Sequence, residues 1–321
     1  MRIVTYHYVR EQAPEGKPQL KVLPVKTFHD QVKYLKSTGR IVTTAEVLDK
    51  IASSGVMEDS DILLTFDDGY IDHWQNVWPV LVSENVTGLF FISTRAVWER
   101  KLTETNQVQL ILGSVDSKEI ISRLHQVIDE QRIRHDLLAP TEYRRLYAKA
   151  GRFDRLDVKY IKNMLQFALP DDFRTTIINQ LFTEYVSADE KSVADALYMT
   201  VDQVKELREA GMYIGNHGYN HKWFDKLTAV DQRQEIDQSR QQLASIGLAN
   251  DGWTMCYPYG AYNQETIRLL VETGCAAGFT TKGGETKNRL ADMRYEINRL
   301  DTNDLMGDKQ MQKQTLGARV R

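Results

Sequence analysis

Cysteine is scarce in this chain, and the scarcity limits its chemistry. Only Cys256 and Cys275 occur among 321 residues, and neither has a CxxC neighbour, so a thiolate-bound zinc cluster or a dithiol redox centre is excluded. Such usage fits a reducing compartment. An excess of one charge is lacking too. Lys and Arg number 41 against 44 Asp and Glu, a formal −3 with no long basic block, which argues against nucleic acid as a partner. A neutral or polar small substrate suits that balance better. Nowhere do about 18 apolar residues follow one another, so no membrane span is expected. The opening MRIVTYHYVR lacks the apolar core of a signal peptide, and the expected localisation is cytoplasmic. Finally, no histidine follows His221.

What is present suffices for a core, since 42% of the residues are hydrophobic. Strand-like runs at RIVTYHYV (2–9), DILLTF (61–66), TGLFFIS (87–93), GMYIGN (211–216), WTMCYP (253–258) and CAAGFTT (275–281) alternate with helical stretches. In 26–39, Phe28, Val32 and Leu35 recur at helical spacing up to Gly39. Thr200 and Gln203 make a capping-box pattern ahead of a helix that stops at Gly211, and 228–247 and 263–274 also end on glycine. This alternation gives βα units and a mostly parallel sheet, for which a barrel is the favoured form.

Between about residues 99 and 198 no strand pattern occurs. Segments such as SKEIISRLHQVIDEQRI and DVKYIKNMLQFAL are amphipathic at helical spacing. The expected organisation is therefore a barrel of residues 1–98 and 199–305, a helical insertion at 99–198, and a solvated tail at 306–321. The insertion follows the TGLFFIS strand, which places it on the face where barrel strands end. His125 and His135 within it read as surface or packing residues.

The candidate chemistry begins with LLTFDDGYIDHW, residues 63–74. Two adjacent carboxylates repel, so a fold that packs Asp67 and Asp68 at the end of a core strand must give them a cation or a shared proton. Turn chemistry accounts for Asp68-Gly69, but not for a second acid behind it. GNHGYNHKWF places His217 and His221 four residues apart just after another strand, where one helical turn would aim both rings at a single point. Two imidazoles and a carboxylate make a three-ligand set for zinc or a similar divalent ion, with positions left open. Of the other residues nearby, Asp72 is expected at the site rim and His73 in solvent, while Cys256 reads as core packing. Tyr219, Trp223 and Tyr262 flank the motifs as candidate ring-stacking or plain packing residues.

TFDDGY, HxxxH and YPYGAYN, in that order and each at a strand end, resemble the polysaccharide deacetylases, the NodB-homology or carbohydrate esterase family four. The resemblance covers residues 1–98 and 199 to about 300 and implies a distorted (β/α) barrel. It implies Asp67 as general base and Asp68, His217 and His221 as ligands of a divalent metal, with zinc favoured. Pro258 and Tyr259 would wall the groove, the Tyr259 backbone N–H facing the oxyanion. Most members supply the acid from a late histidine and hold the base with an arginine two residues before the proline, where this chain has Cys256; many also have Ser or Thr where Gly218 stands. A circularly permuted branch that deacetylates poly-N-acetylglucosamine uses a histidine in an early YH run, which points to His7.

The reaction so implied is hydrolysis of an N-acyl group, acetyl above all, from an amino sugar. Water activated by the metal gives its proton to Asp67, and His7 protonates the leaving amine. The carbohydrate substrate would belong to surface-glycan or nucleotide-sugar metabolism. Two alternatives stand beside this: removal of a formyl or other acyl group, or attack on a non-sugar amide or ester; and a sugar-binding protein on a decayed deacetylase fold.

Overall fold

The computed structural model describes residues 1–149, 154–248, 252–284 and 286–305, so the tail at 306–321 lies outside the described residues. Eight strands form one parallel sheet: β1 (Arg2–Tyr6), β2 (Arg40–Ile41), β3 (Asp61–Phe66), β4 (Leu89–Ile92), β5 (Tyr213–Asn216), β6 (Thr254–Cys256), β7 (Ala277–Phe279) and β8 (Leu300–Asp301). Their order is β7-β6-β5-β4-β3-β1-β8, with β2 beside β3. The sheet curls back on itself. Ile297 bridges to Phe279 of β7, while Leu300, three residues on, pairs with Val4 of β1. The result is the distorted (β/α) barrel expected from the sequence, with two differences. β2 and β8 are only two residues long, too short to leave a period, and β1 stops at Tyr6 rather than running to residue 9.

All of β3 is buried, as a parallel strand covered on both faces must be. Alternation along it separates two apolar layers. Leu63 joins Ile3, Leu89, Phe91, Cys256 and Phe279 in the barrel interior. Residues of the same parity, Thr65 and Asp67 on one strand and Thr5 and His7 on its neighbour, continue that inner face toward the strand ends. Helix Val25–Thr38 buries Phe28, Val32 and Leu35, and Thr200 and Gln203 form the capping box ahead of helix Val201–Glu209.

Chain contacts divide the molecule into two units. The barrel unit comprises Met1–Glu11, Val22–Lys101 and Ala194–Arg321; the second comprises Gln12–Lys21 and Leu102–Val193. The second unit is helical, with helices at Glu104–Ser114, Ser117–Gln131, Pro140–Tyr147, Leu156–Asn163 and Asp171–Tyr185. Its core holds Ile111, Leu124, Ile128, Ile161, Leu165, Ile177 and Leu181. The short segment Gln12–Lys21, read with the barrel from the sequence, joins this unit instead through the Gln19 amide, which donates to the Gly113 carbonyl at 3.2 Å. His125 lies 2.9 Å from the Tyr160 hydroxyl and the His135 ring packs 5.0 Å from Phe173, so both are engaged in packing. Among the described residues no helix is long and apolar enough to cross a membrane.

Candidate metal centre and its base

β5 delivers His217 to the barrel mouth, but the residues between it and His221 form a loop rather than the helical turn that the spacing suggested. The loop turns twice through left-handed backbone, at Gly218 (φ 76°) and His221 (φ 57°). Asn216 accepts from the Gly218 amide at 2.7 Å. Glu235, from helix Ala229–Ala244, accepts from the amides of Tyr219 and Asn220 at 3.0 and 2.8 Å. A Cβ at position 218 would stand 3.3 Å from that carboxylate, in backbone that side chains rarely adopt, which accounts for glycine where many relatives have Ser or Thr.

Asp68 enters from the end of β3, itself in left-handed backbone with φ 79°. Its Oδ1 lies 3.4 Å from His217 Nε2 and 3.3 Å from His221 Nε2, and its Oδ2 accepts from the Tyr70 hydroxyl at 2.6 Å. Oδ1 is buried without a hydrogen-bond partner, which is costly unless something else satisfies it. His217 Nδ1 donates to the Cys256 carbonyl at 2.8 Å, which turns Nε2 toward Asp68. Ligands held at about 2.0–2.1 Å on a tetrahedral ion lie roughly 3.3 Å from one another, and the Asp68 oxygen has that spacing from each imidazole nitrogen. An orphaned carboxylate oxygen facing two buried imidazole nitrogens thus fits a divalent cation. Burial alone would raise the Asp68 carboxyl, but the two imidazoles beside it hold it well below the usual carboxylate range.

Asp67 meets different partners. Arg299, fully buried on the segment that closes the barrel, donates Nη1 to Oδ1 at 2.8 Å and Nη2 to Oδ2 at 2.7 Å. The guanidinium is held in turn by the Thr280 carbonyl at 3.0 Å and Thr65 Oγ1 at 3.1 Å. Against the upward push of burial, Arg299 keeps the Asp67 carboxyl far below its ordinary range. Sequence reasoning missed Arg299. It left open what replaces the arginine absent at position 256, and the available signal was one arginine between apolar Ile297 and Leu300. Cys256 is buried as expected, yet it is more than filler: its Sγ lies 3.7 Å from Asp67 Oδ2 and 2.9 Å from Arg299 Nη2. His7, just beyond β1, brings Nε2 to 3.8 Å from Asp67 Oδ2 with 44% of its side chain exposed.

The mouth is rimmed by aromatics. Pro258–Gly260 make one tight turn with Tyr259 at φ 58°, and the Tyr259 ring stacks on Trp223 at 4.2 Å and meets His221 edge-on at 4.9 Å. Trp223, Tyr259, Tyr262, Asn263 and Lys282 line an adjoining depression. Tyr219 is not among its walls, and its hydroxyl bonds to Glu99. Two expectations are overturned. His73, expected in solvent, is fully buried among aromatic rings, and Asp72, expected at the rim, is buried and paired with Arg10 at 2.5 Å. Both lie where the backbone widens into a π-helical turn at His73–Val77, so that counting by ordinary helical faces fails.

The site is thus an Asp-His-His cluster beside an arginine-held aspartate at the mouth of a parallel-stranded barrel. The family model described as polysaccharide deacetylase matches residues 177–278, which include the HxxxH and YPYG runs. YxkH of Bacillus subtilis (strain 168), a protein named for the same family, is 30% identical over 94 residues, 29% of this chain; the match spans 33% of that relative's length. Among solved structures, the deacetylase PplD of Streptococcus pyogenes, in complex with acetate, aligns with a TM-score of 0.59 at 16% identity over 98% of this chain and 96% of its own. IcaB of Ammonifex degensii gives 0.55 at 17% identity over 98% and 95%. A de-N-acetylase of Aggregatibacter actinomycetemcomitans gives 0.56 at 16% over 97% and 98%. These likenesses show the fold, and the family-model match is confined to residues 177–278.

Proposed function

We propose that this protein is a metal-dependent carbohydrate N-deacylase that removes an acetyl group from an amino sugar. The observation that carries the reading is the orphaned Asp68 Oδ1 facing His217 Nε2 and His221 Nε2, one residue from a carboxylate that already has its own counter-charge. Asp68, His217 and His221 hold the ion, and this N₂O donor set favours zinc. A divalent ion there supplies Lewis acidity, polarising the acyl carbonyl and acidifying water.

The chain's own groups do the rest. Asp67, kept ionised by Arg299, accepts the proton of the attacking water. The Tyr259 backbone N–H donates to the oxyanion, where losing one donor typically costs about 10²–10³ in rate. His7, opposite Asp67 and open to solvent, protonates the departing amine. Trp223, Tyr259 and Tyr262, with Pro258 in the turn between them, offer a face on which a sugar ring stacks. The proposed setting is cytoplasmic, with a nucleotide-linked or lipid-linked precursor of surface glycan as substrate.

The test is metal analysis of the purified protein, followed by assay of acetate and formate release from N-acylated amino sugars by the wild type and Asp67→Asn. Bound zinc with acetate release abolished in the variant is expected. A protein that holds metal and releases nothing overturns the enzymatic reading, and release of formate alone overturns the acetyl assignment.

A further inference from the structure

The roles above leave one dense set of contacts unused. β1 leaves the sheet after Tyr6, whose carbonyl accepts from the Asp67 amide at 3.0 Å. The following residues carry His7 away from the ladder, so their backbone groups need other partners. Leu23 satisfies part of this segment, donating to the Tyr8 carbonyl and accepting from the Arg10 amide, both at 3.0 Å. The other bonds come from one turn just beyond the acid pair. His73 Nε2 stands 3.0 Å from the His7 carbonyl, Asp72 Oδ2 accepts from the Val9 amide at 3.0 Å, and Asn76 Nδ2 donates to the Val9 carbonyl at 2.7 Å. Asp72 also takes two bonds from Arg10, at 2.8 and 2.5 Å.

His73 is the member that packing does not explain. Its ring sits fully buried with Phe66, Tyr70 and Phe90 at centroid distances of 5.7, 5.8 and 5.7 Å. Burial pushes its pKa down to about 4, so the imidazole is neutral near pH 7. The carbonyl partner fixes its proton on Nε2, which leaves Nδ1 buried with no hydrogen-bond partner. Phenylalanine would fill the same aromatic pocket without stranding a nitrogen. What the imidazole adds is the bond to the carbonyl of His7.

We propose that Asp72, His73 and Asn76 form a clamp that positions His7 for proton delivery, tying the strand end that bears it to the strand end that bears Asp67. The inference rests on the reading of His7 as proton donor. With 44% of its side chain exposed, the His7 ring has little packing to aim it, so its direction follows from its backbone. None of the three clamp residues touches substrate; each acts through the His7 segment.

The test compares an amide, whose amine must be protonated to leave, with 4-nitrophenyl acetate, whose phenolate leaves unprotonated. Acetate release from an N-acetyl amino sugar and hydrolysis of the ester are measured for the wild type, His7→Ala, His73→Phe and His73→Gln. A misplacement of about 1 Å can cost 10²-fold in rate, so His73→Phe is expected to lose roughly 10- to 100-fold in kcat on the amide. KM, ester rate and metal content should stay near wild type, with a melting temperature equal or higher. His73→Gln, whose amide can still donate, should recover part of the loss. Asn76→Asp, at a half-buried position, should shift the amide rate in the same direction by less. Wild-type amide turnover in His73→Phe overturns the clamp, as does an equal loss on both substrates that tracks a fall in melting temperature. If His7→Ala shows no amide-specific loss, the donor assignment falls and the clamp with it; a loss in His7→Ala alone removes only the clamp.

Discussion

Asp67 and Asp68 are adjacent in sequence and meet opposite surroundings. Around Asp67 both carboxylate oxygens are saturated by a buried guanidinium, with Thr5 and Cys256 close by. Around Asp68 one oxygen is bonded to Tyr70 and the other faces two imidazole nitrogens that give it no hydrogen bond. Two buried carboxylates side by side would otherwise push one of the pair to protonate. The chain supplies a permanent cation to the first and leaves the second with an unbonded oxygen facing two imidazoles. Asp67 and Arg299 cancel, so the charge left at the mouth is set by Asp68 and its two imidazoles. A divalent ion there would add positive charge, the sign that suits a developing oxyanion.

Mutations that exchange these surroundings test the contrast, beginning with the side that has the open oxygen. Asp68→Asn should abolish both metal binding and turnover. Its loss of affinity should exceed the roughly 10- to 100-fold typical of mutating an outer partner, as metal titration would show. Asp67→Asn should do the reverse, retaining metal while kcat falls by about 10²–10⁴. Equal metal loss in the two variants would erase the distinction.

Arg299→Gln probes the counter-charge itself. It leaves Asp67 buried and uncompensated, so unfolding in urea at neutral pH should show a loss of about 3–5 kcal/mol. The Asp67 pKa then rises, and the acidic limb of the pH–rate profile moves to higher pH because the base must be ionised. In the wild type the Asp67 pKa is depressed, so its increment of stability is present above the ordinary value of 3.8 and is lost as the pH falls below it toward the depressed pKa. The variant should lack that loss. The smallest effect is expected at the rim, where Trp223→Ala should raise KM with kcat little changed, equivalent to about 0.5–1.5 kcal/mol of ring stacking.

Much of this was legible from the residues. The apolar runs ending in Asp67-Asp68, in His217 and in YPYG announced strands that deliver side chains to one rim, and the sheet places all three there. The HxxxH spacing was a sound cue with a wrong cause, since two left-handed residues, Gly218 and His221, converge the rings where a helical turn was expected. Counting faces along a regular helix misplaced Asp72 and His73, because the π-helical turn changes the register there. Arg299 was out of reach for another reason. It lies 232 residues from Asp67, and β8 beside it is too short to show alternation. The sequence reveals that a buried acid needs a cation; it does not reveal which distant residue answers.

That separation also orders events during biosynthesis. Asp67 leaves the ribosome long before Arg299, and the segment carrying Arg299 is the one that joins β7 to β1. Until it docks, the nascent barrel is open and holds a carboxylate with nothing to neutralise it. Ring closure and charge neutralisation are therefore a single step, and a partly synthesised chain with Asp68, His217 and His221 already in place would still lack the guanidinium that restrains Asp67.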